Sequence, residues 1–173
     1  MGSTQVQQLV ETEVTTRMLE EWLELWSESN DIPGPFKVEL RPHTAGSELL
    51  GLSVLGPSGS KVAEVVFATI RDRRGKSILS VRDQETTDPA LRQKRLMTLL
   101  HLFLIHRYKA VSIHYVTPTD DNVKQTEGMK KLGIFDDVTV EIGDIIVAGV
   151  DPERVTELLD PKRRELTKLI NKG

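Results

Sequence analysis

The chain has 173 residues, 38% of them hydrophobic and 28% charged, with a net charge of −3 and no cysteine. Those values fit one well-buried domain with some length left for an arm or tail, and they exclude wholesale disorder and any overall electrostatic pull toward nucleic acid or an anionic membrane. The missing cysteines remove disulfides, thiol nucleophiles and thiolate zinc sites and fit a reducing compartment, so the expected location is cytoplasmic; no apolar run approaches membrane-spanning length, and no hydrophobic signal region opens the chain.

Met1-Gly2-Ser3 reads as a tag remnant and is set aside. From Thr4 to Asn30 the composition favours helix. Met18, Leu19, Trp22, Leu23, Leu25 and Trp26 form a helical stripe, with Thr15 or Thr16 available as caps. Pro33 and Pro35 stop it. The two tryptophans are read first as packing, with an exposed partner surface as the sharper alternative. Strand signals follow in "FKVELRP", "ELLGLSVLG", "KVAEVVFATI" and "SILSVRD", separated by "PSGS" and "RDRRGK". These predict an antiparallel meander. Arg71, Arg73, Arg74 and Lys76 are read as a solvated hairpin tip, since Asp72 and Gly75 lie among them.

After Asp88-Pro89, "ALRQKRLMTLLHLFLIHRYKA" has a cationic first turn and an apolar body, predicting a largely buried helix from Ala90. The stretch "AVSIHYV" is then a buried strand, which makes a strand–helix–strand crossover. A short helix is expected from Asn122, followed by a hairpin or a broken strand in "VTVEIGDIIVAGV". Two short helices with Pro in the first turn, "PERVTELL" and "PKRRELTKLI", end the chain. The expected division is a helical arm or linker at 4–35, a core at 36–150 and a helical tail at 151–173. The fold class is α/β (α+β), a mixed sheet with flanking helices.

Two segments give this order a likeness. "LRQKRLMTLL" and "DDNVKQTEGMKKLGIF" resemble the two motifs of the N-acetyltransferase fold. The first motif in that family has Arg or Gln, then Gly-x-Gly or Gly-x-Ala, at a helix start. There unpaired N–H groups and the helix dipole hold a pyrophosphate. Here Arg95 and Met97 stand at the two small-residue positions, so Arg92, Lys94 and Arg95 would reach phosphate as charged donors. In the second motif Asn122, Lys131 and Gly133 match, with Ile134 where the family has an aromatic residue. The family's tyrosine, which protonates the leaving thiolate, is replaced by Met129, and a thioether has no proton to give. The resemblance therefore implies an architecture kept and a reaction lost, with no catalytic residue.

The phrases "LFLIHRYKAVSIHYVTPTDDN", "MKKLGIF", "EIGDIIVAGV" and "LDPKRRELTKLI" further resemble the C-terminal domain of the long isoform of bacterial isocitrate lyase. That resemblance implies a regulatory module of a glyoxylate-bypass enzyme that binds acetyl-CoA or a related acyl-CoA and activates the catalytic domain of the parent chain. It also implies homo-oligomer contacts in the full-length protein. The implied effector site comprises Ser80, Val81, Arg82, Arg92, Gln93, Lys94, Arg95, Met97, Thr98 and Asn122, in a V-shaped opening between 77–82 and 110–116. The competing expectation is an active acetyltransferase with Glu64 or Asp83 as base and no tyrosine acid. Glu48 is a further carboxylate on the hairpin. His43, His101, His106 and His114 lack metal-motif spacing and are read as packing or surface residues.

Overall fold

The computed structural model describes residues 2–43, 48–116, 118–136 and 140–160. Helix α1 (Gly2–Ser29) leads into a meander of β1 (Lys37–Pro42), β2 (Leu50–Leu55), β3 (Lys61–Arg71) and β4 (Ser77–Thr86). Then come α2 (Leu96–Tyr108), β5 (Ser112–Val116), α3 (Asp120–Lys131), β6 (Val140–Ile142), β7 (Ile145–Gly149) and α4 (Pro152–Leu158). The seven strands form one sheet in the order β1-β2-β3-β4-β5-β7-β6. The expected meander and crossover are both present, and β4 with β5 is the single parallel pair among the described residues. This is the α/β mixed sheet, a meander plus a crossover with flanking helices, expected from the sequence.

The core lies between the sheet and α1, α2 and α4. Helix α2 buries Leu96, Leu99, Leu100, Leu102, Phe103, Leu104 and Ile105, so it is apolar nearly all round. Each such side chain contributes about 1.5–3 kcal/mol through burial. The tip between β3 and β4 is built as read: Asp72 accepts from the backbone N–H groups of Arg74 and Lys76, and Gly75 takes a positive φ. Gly143 also has a positive φ, between β6 and β7, and the hairpin alternative holds there.

Four expectations are corrected. Helix α1 runs straight through Thr15 and Thr16, so neither caps it. Trp22 and Trp26 are 2% and 1% exposed, which makes them core and removes the partner-surface reading. From Thr15 onward the supposed arm packs on β1 and α2, because its apolar stripe needs cover. Helix α2 begins at Leu96 rather than Ala90. Asp88 caps a short 3-10 turn at Pro89–Leu91, and left-handed backbone at Gln93 and Arg95 interrupts the path. In the tail, α4 buries Val155 and Leu158 and packs on α2. The predicted second tail helix, "PKRRELTKLI", lies outside the described residues.

Candidate ligand-binding site

Strands β4 and β5 pair from Ile78–Ser112 to Val81–Tyr115 and no further. One residue later β4 carries a bulge: Val81 faces Phe67 and Asp83 faces Val66, which leaves Arg82 as the extra residue. A bulge bends a strand and re-aims its side chains. Beyond it, β4 continues to Thr86 against β3 alone, and a cleft of about 700 Å³ opens beside it.

The cleft is lined by Gln84, Glu85 and Thr86 of β4, by Leu91, Arg92, Gln93, Arg95, Leu96, Met97 and Thr98, and by Asp121, Lys124 and Gln125 of α3. Five of the expected effector residues are therefore brought together: Arg92, Gln93, Arg95, Met97 and Thr98. The other five do not line it. Ser80 and Val81 are buried where the fork closes, and exposed Arg82 donates its Nε–H to Ser80 Oγ at 3.0 Å. Lys94 is held through its carbonyl, which accepts from Trp26 Nε1 at 2.8 Å. Asn122 is the third helical residue rather than the cap. Thr119 caps α3, and Asn122 Oδ1 accepts from the Thr119 N–H at 2.9 Å in a reciprocal capping box.

The 92–98 turn carries left-handed backbone at Gln93 and Arg95 although neither is glycine. Arg95 sits at φ 61°, ψ 20°, and the next residue is already helical. Left-handed followed by right-handed backbone turns successive N–H groups to one side, an arrangement that receives anions. The first-turn N–H groups of α2 have no intrahelical acceptor, and no side chain caps them. Arg92, Arg95 and Lys124 on the lining outnumber Glu85 and Asp121. Arg92 is steadied by donating its Nε–H to Thr86 O at 2.9 Å. A second hollow, about 560 Å³ beside α1, carries Glu20, Glu21, Glu24 and Glu28 against Arg17, the wrong sign for phosphate.

Position 129 faces inward. Met129 is 1% exposed and fills the core under α3, which ends as Gly133 takes φ +79°. Glu64 lies away from the cleft, accepting from Ser53 Oγ at 3.0 Å and Lys61 Nζ at 2.7 Å. Burial pushes its pKa up, but those hydrogen bonds and the Lys61 charge outweigh this and hold it below the usual value. A base waiting for an amine proton needs the opposite shift. Asp83 is exposed, with Oδ1 committed to the Gln84 N–H at 2.9 Å.

Several lining residues escape sequence reasoning. Asp121, Lys124 and Gln125 share one face of α3 by their three- and four-residue spacing, and Gln84 and Thr86 alternate on β4. Those periodicities were legible; the cleft they share depends on the Arg82 bulge. Deeper in, His101 and Tyr115 stack with centroids 5.8 Å apart, and both are 1% exposed. His101 Nδ1 donates to Met97 O at 2.8 Å, which fixes the neutral tautomer, and burial lowers its pKa to about 4.

The chain is 56% identical over 171 residues to an isocitrate lyase subunit from Mycobacterium tuberculosis (strain ATCC 25618 / H37Rv), covering 99% of this chain and 43% of that protein. It is equally identical over 171 residues to isocitrate lyase 2 of M. tuberculosis (strain ATCC 35801 / TMC 107 / Erdman) and of Mycobacterium bovis, covering 22% of each. This chain is homologous to a part of isocitrate lyase 2. It spans less than half the length of these relatives, so most of each isocitrate lyase 2 chain lies outside the match. No family model matches. Among solved structures, AtaTR bound with AcCoA overlaps with a TM-score of 0.47 at 8% identity, covering 64% of this chain and 72% of that one. An acetyltransferase of the GNAT family from Staphylococcus aureus Mu50 overlaps with a TM-score of 0.41 at 10% identity, covering 78% and 92%. These overlaps are partial.

Proposed function

We propose that this chain is a non-catalytic regulatory domain that binds acetyl-CoA or a related acyl-CoA and activates the isocitrate lyase of which it is part, a glyoxylate-bypass enzyme. The observation that carries the reading is the 92–98 turn, which keeps a left-handed phosphate-cradle backbone at a helix start while Met129 is buried where an acetyltransferase acid would stand. Non-glycine residues in left-handed backbone cost about 1–3 kcal/mol each, and such strain gathers at ligand clamps. The pyrophosphate would take the N–H groups of Leu96, Met97 and Thr98, with Arg92 and Arg95 beside it. The pantetheine arm would run along β4 toward the fork at Val81. The domain then acts by differential affinity: the ligand shifts an equilibrium between two arrangements of this domain, its catalytic domain and sister copies in an oligomer.

Calorimetry of this chain with acetyl-CoA tests the binding. Heat should be released, and a hundredfold excess over Kd should raise stability by about 2.7 kcal/mol. Charge reversal at Arg92 and Arg95 should weaken binding, as should added salt. An absence of heat and of any melting shift at millimolar acetyl-CoA sinks the proposal. In the full-length lyase, small-angle scattering should change on adding acetyl-CoA, and reversal of Arg92 and Arg95 should remove activation while basal activity stays.

A further inference from the structure

One pair of side chains in the cleft stands outside the phosphate cradle. Gln84 at the end of β4 donates its Nε2–H to Gln125 Oε1 on α3, across 41 residues of chain. The bond ties the part of β4 that pairs with β3 alone to α3, beyond the point where β4 leaves β5. It satisfies each carboxamide on one side only. Gln84 Oε1 and Gln125 Nε2 are both buried, and neither has a hydrogen-bond partner among the described residues. A buried amide atom without a partner bears the desolvation cost of leaving water and recovers nothing. Here one acceptor and one donor are left over together, and both residues line the same cleft.

An acceptor and a donor are what a secondary amide needs: its N–H seeks one and its C=O the other. We infer that Gln84 and Gln125 form an amide-recognition subsite, a latch across the cleft that opens to pair with amide groups of an extended ligand. This deepens the acyl-CoA reading and rests on it, because the pantetheine arm is the amide-bearing part of that ligand. The adenine nucleotide half carries no such amide. The side chains add to affinity through polar pairing, so they discriminate a pantetheine chain from an alkyl chain of similar length. The cradle cannot make that distinction, because it meets only phosphate.

The test compares two probes on the whole 173-residue chain: acetyl-CoA, and adenosine 3′-phosphate 5′-diphosphate, which has the phosphates without the pantetheine. The readout is the ratio of their affinities by calorimetry, which cancels any change in the cradle. Gln84→Met and Gln125→Met should each lower the ratio roughly tenfold, the scale of one lost hydrogen bond. Gln125→Glu keeps the acceptor that Gln84 uses and replaces the spare donor by a carboxylate oxygen, whose charge both probes meet. It should lower the ratio similarly and serves if a Met variant folds poorly. Acetyl-CoA binding with an unchanged ratio in all three variants overturns the subsite and leaves the effector reading standing. Wild-type chain that binds acetyl-CoA no more tightly than the nucleotide half also overturns it. Wild-type chain that binds neither probe removes the effector reading and the subsite together.

Discussion

The indole N–H of Trp26, on α1, donates to the carbonyl of Lys94 at 2.8 Å. Sixty-eight residues separate the two, and the bond pins the turn that leads into α2. Trp26 also meets Phe36 edge-on with centroids 5.8 Å apart. The first helix therefore fixes the position of the 92–98 turn.

Trp26→Phe should lower unfolding stability by about 1–3 kcal/mol, from the lost hydrogen bond and the smaller ring. It should weaken acetyl-CoA binding beyond what a control of equal destabilisation does, such as a Leu158→Val change in α4. Urea titrations matched with calorimetry check both parts. Equal loss of affinity in the two variants would show that Trp26 merely stabilises the fold.

Arg95 holds φ 61° without being glycine. Arg95→Gly should therefore leave stability unchanged or raise it by up to about 1 kcal/mol, despite removing a long side chain. Arg95→Val should lower stability by more than about 1 kcal/mol, since a β-branched residue fits left-handed backbone poorly. Melting temperatures of the two variants should move in opposite directions, or Gly should at least not fall.

Met129→Tyr will not create an acetyltransferase. The side chain is 1% exposed, so a phenol there overpacks the core at a cost of about 1–3 kcal/mol. Thiol release from acetyl-CoA with a panel of amines should stay at the uncatalysed rate in both wild type and variant. Sustained turnover in the wild type would instead revive the transferase reading.

His101 predicts a pH dependence. Its folded pKa is lowered to about 4 from 6.5, so the unfolded chain binds the extra proton first as pH falls. Stability is full above about 6.5 and is lost progressively down to about 4, by roughly 3 kcal/mol at the limit. His106 and His114 are lowered by burial, and Glu64 by the bonds that outweigh its burial, so all three act in the same direction. His101→Leu should flatten the urea midpoint between about pH 7 and pH 5 relative to wild type. An identical slope in the variant would assign the dependence to the other groups.

Much of this fold was readable because its signals are local. The meander announces itself through alternation and turn residues, and α2 through an unbroken apolar body. The limits of legibility are equally physical. Nothing local to "ALRQKRLM" says that Gln93 and Arg95 adopt left-handed backbone, since the usual glycine mark is absent. Asn122 looked like a cap because Asn is a favoured one; Thr119, three residues earlier, won by forming a reciprocal box with it. Lys94 was read for its charge, yet the atom tied down is its carbonyl, through a helix far away in sequence. Gln84 and Gln125 carry no motif, and only the bulge at Arg82 and the crossover bring them together.

Arg154 of α4 reaches past its own helix. Its Nε–H donates to Leu132 O at 2.8 Å, at the end of α3, and its stem lies against Gly133, where a β-carbon would come within 3.3 Å of it. Helix α3 is thus clasped at its C-terminal end while its opposite end rims the cleft. At about 1.5 Å per residue, a rigid helix of 12 residues carries a tilt across roughly 18 Å without bending. The orientation of α3, and with it the placement of Asp121 and Gln125 on the cleft rim, is therefore tied through Gly133 to the seating of α4.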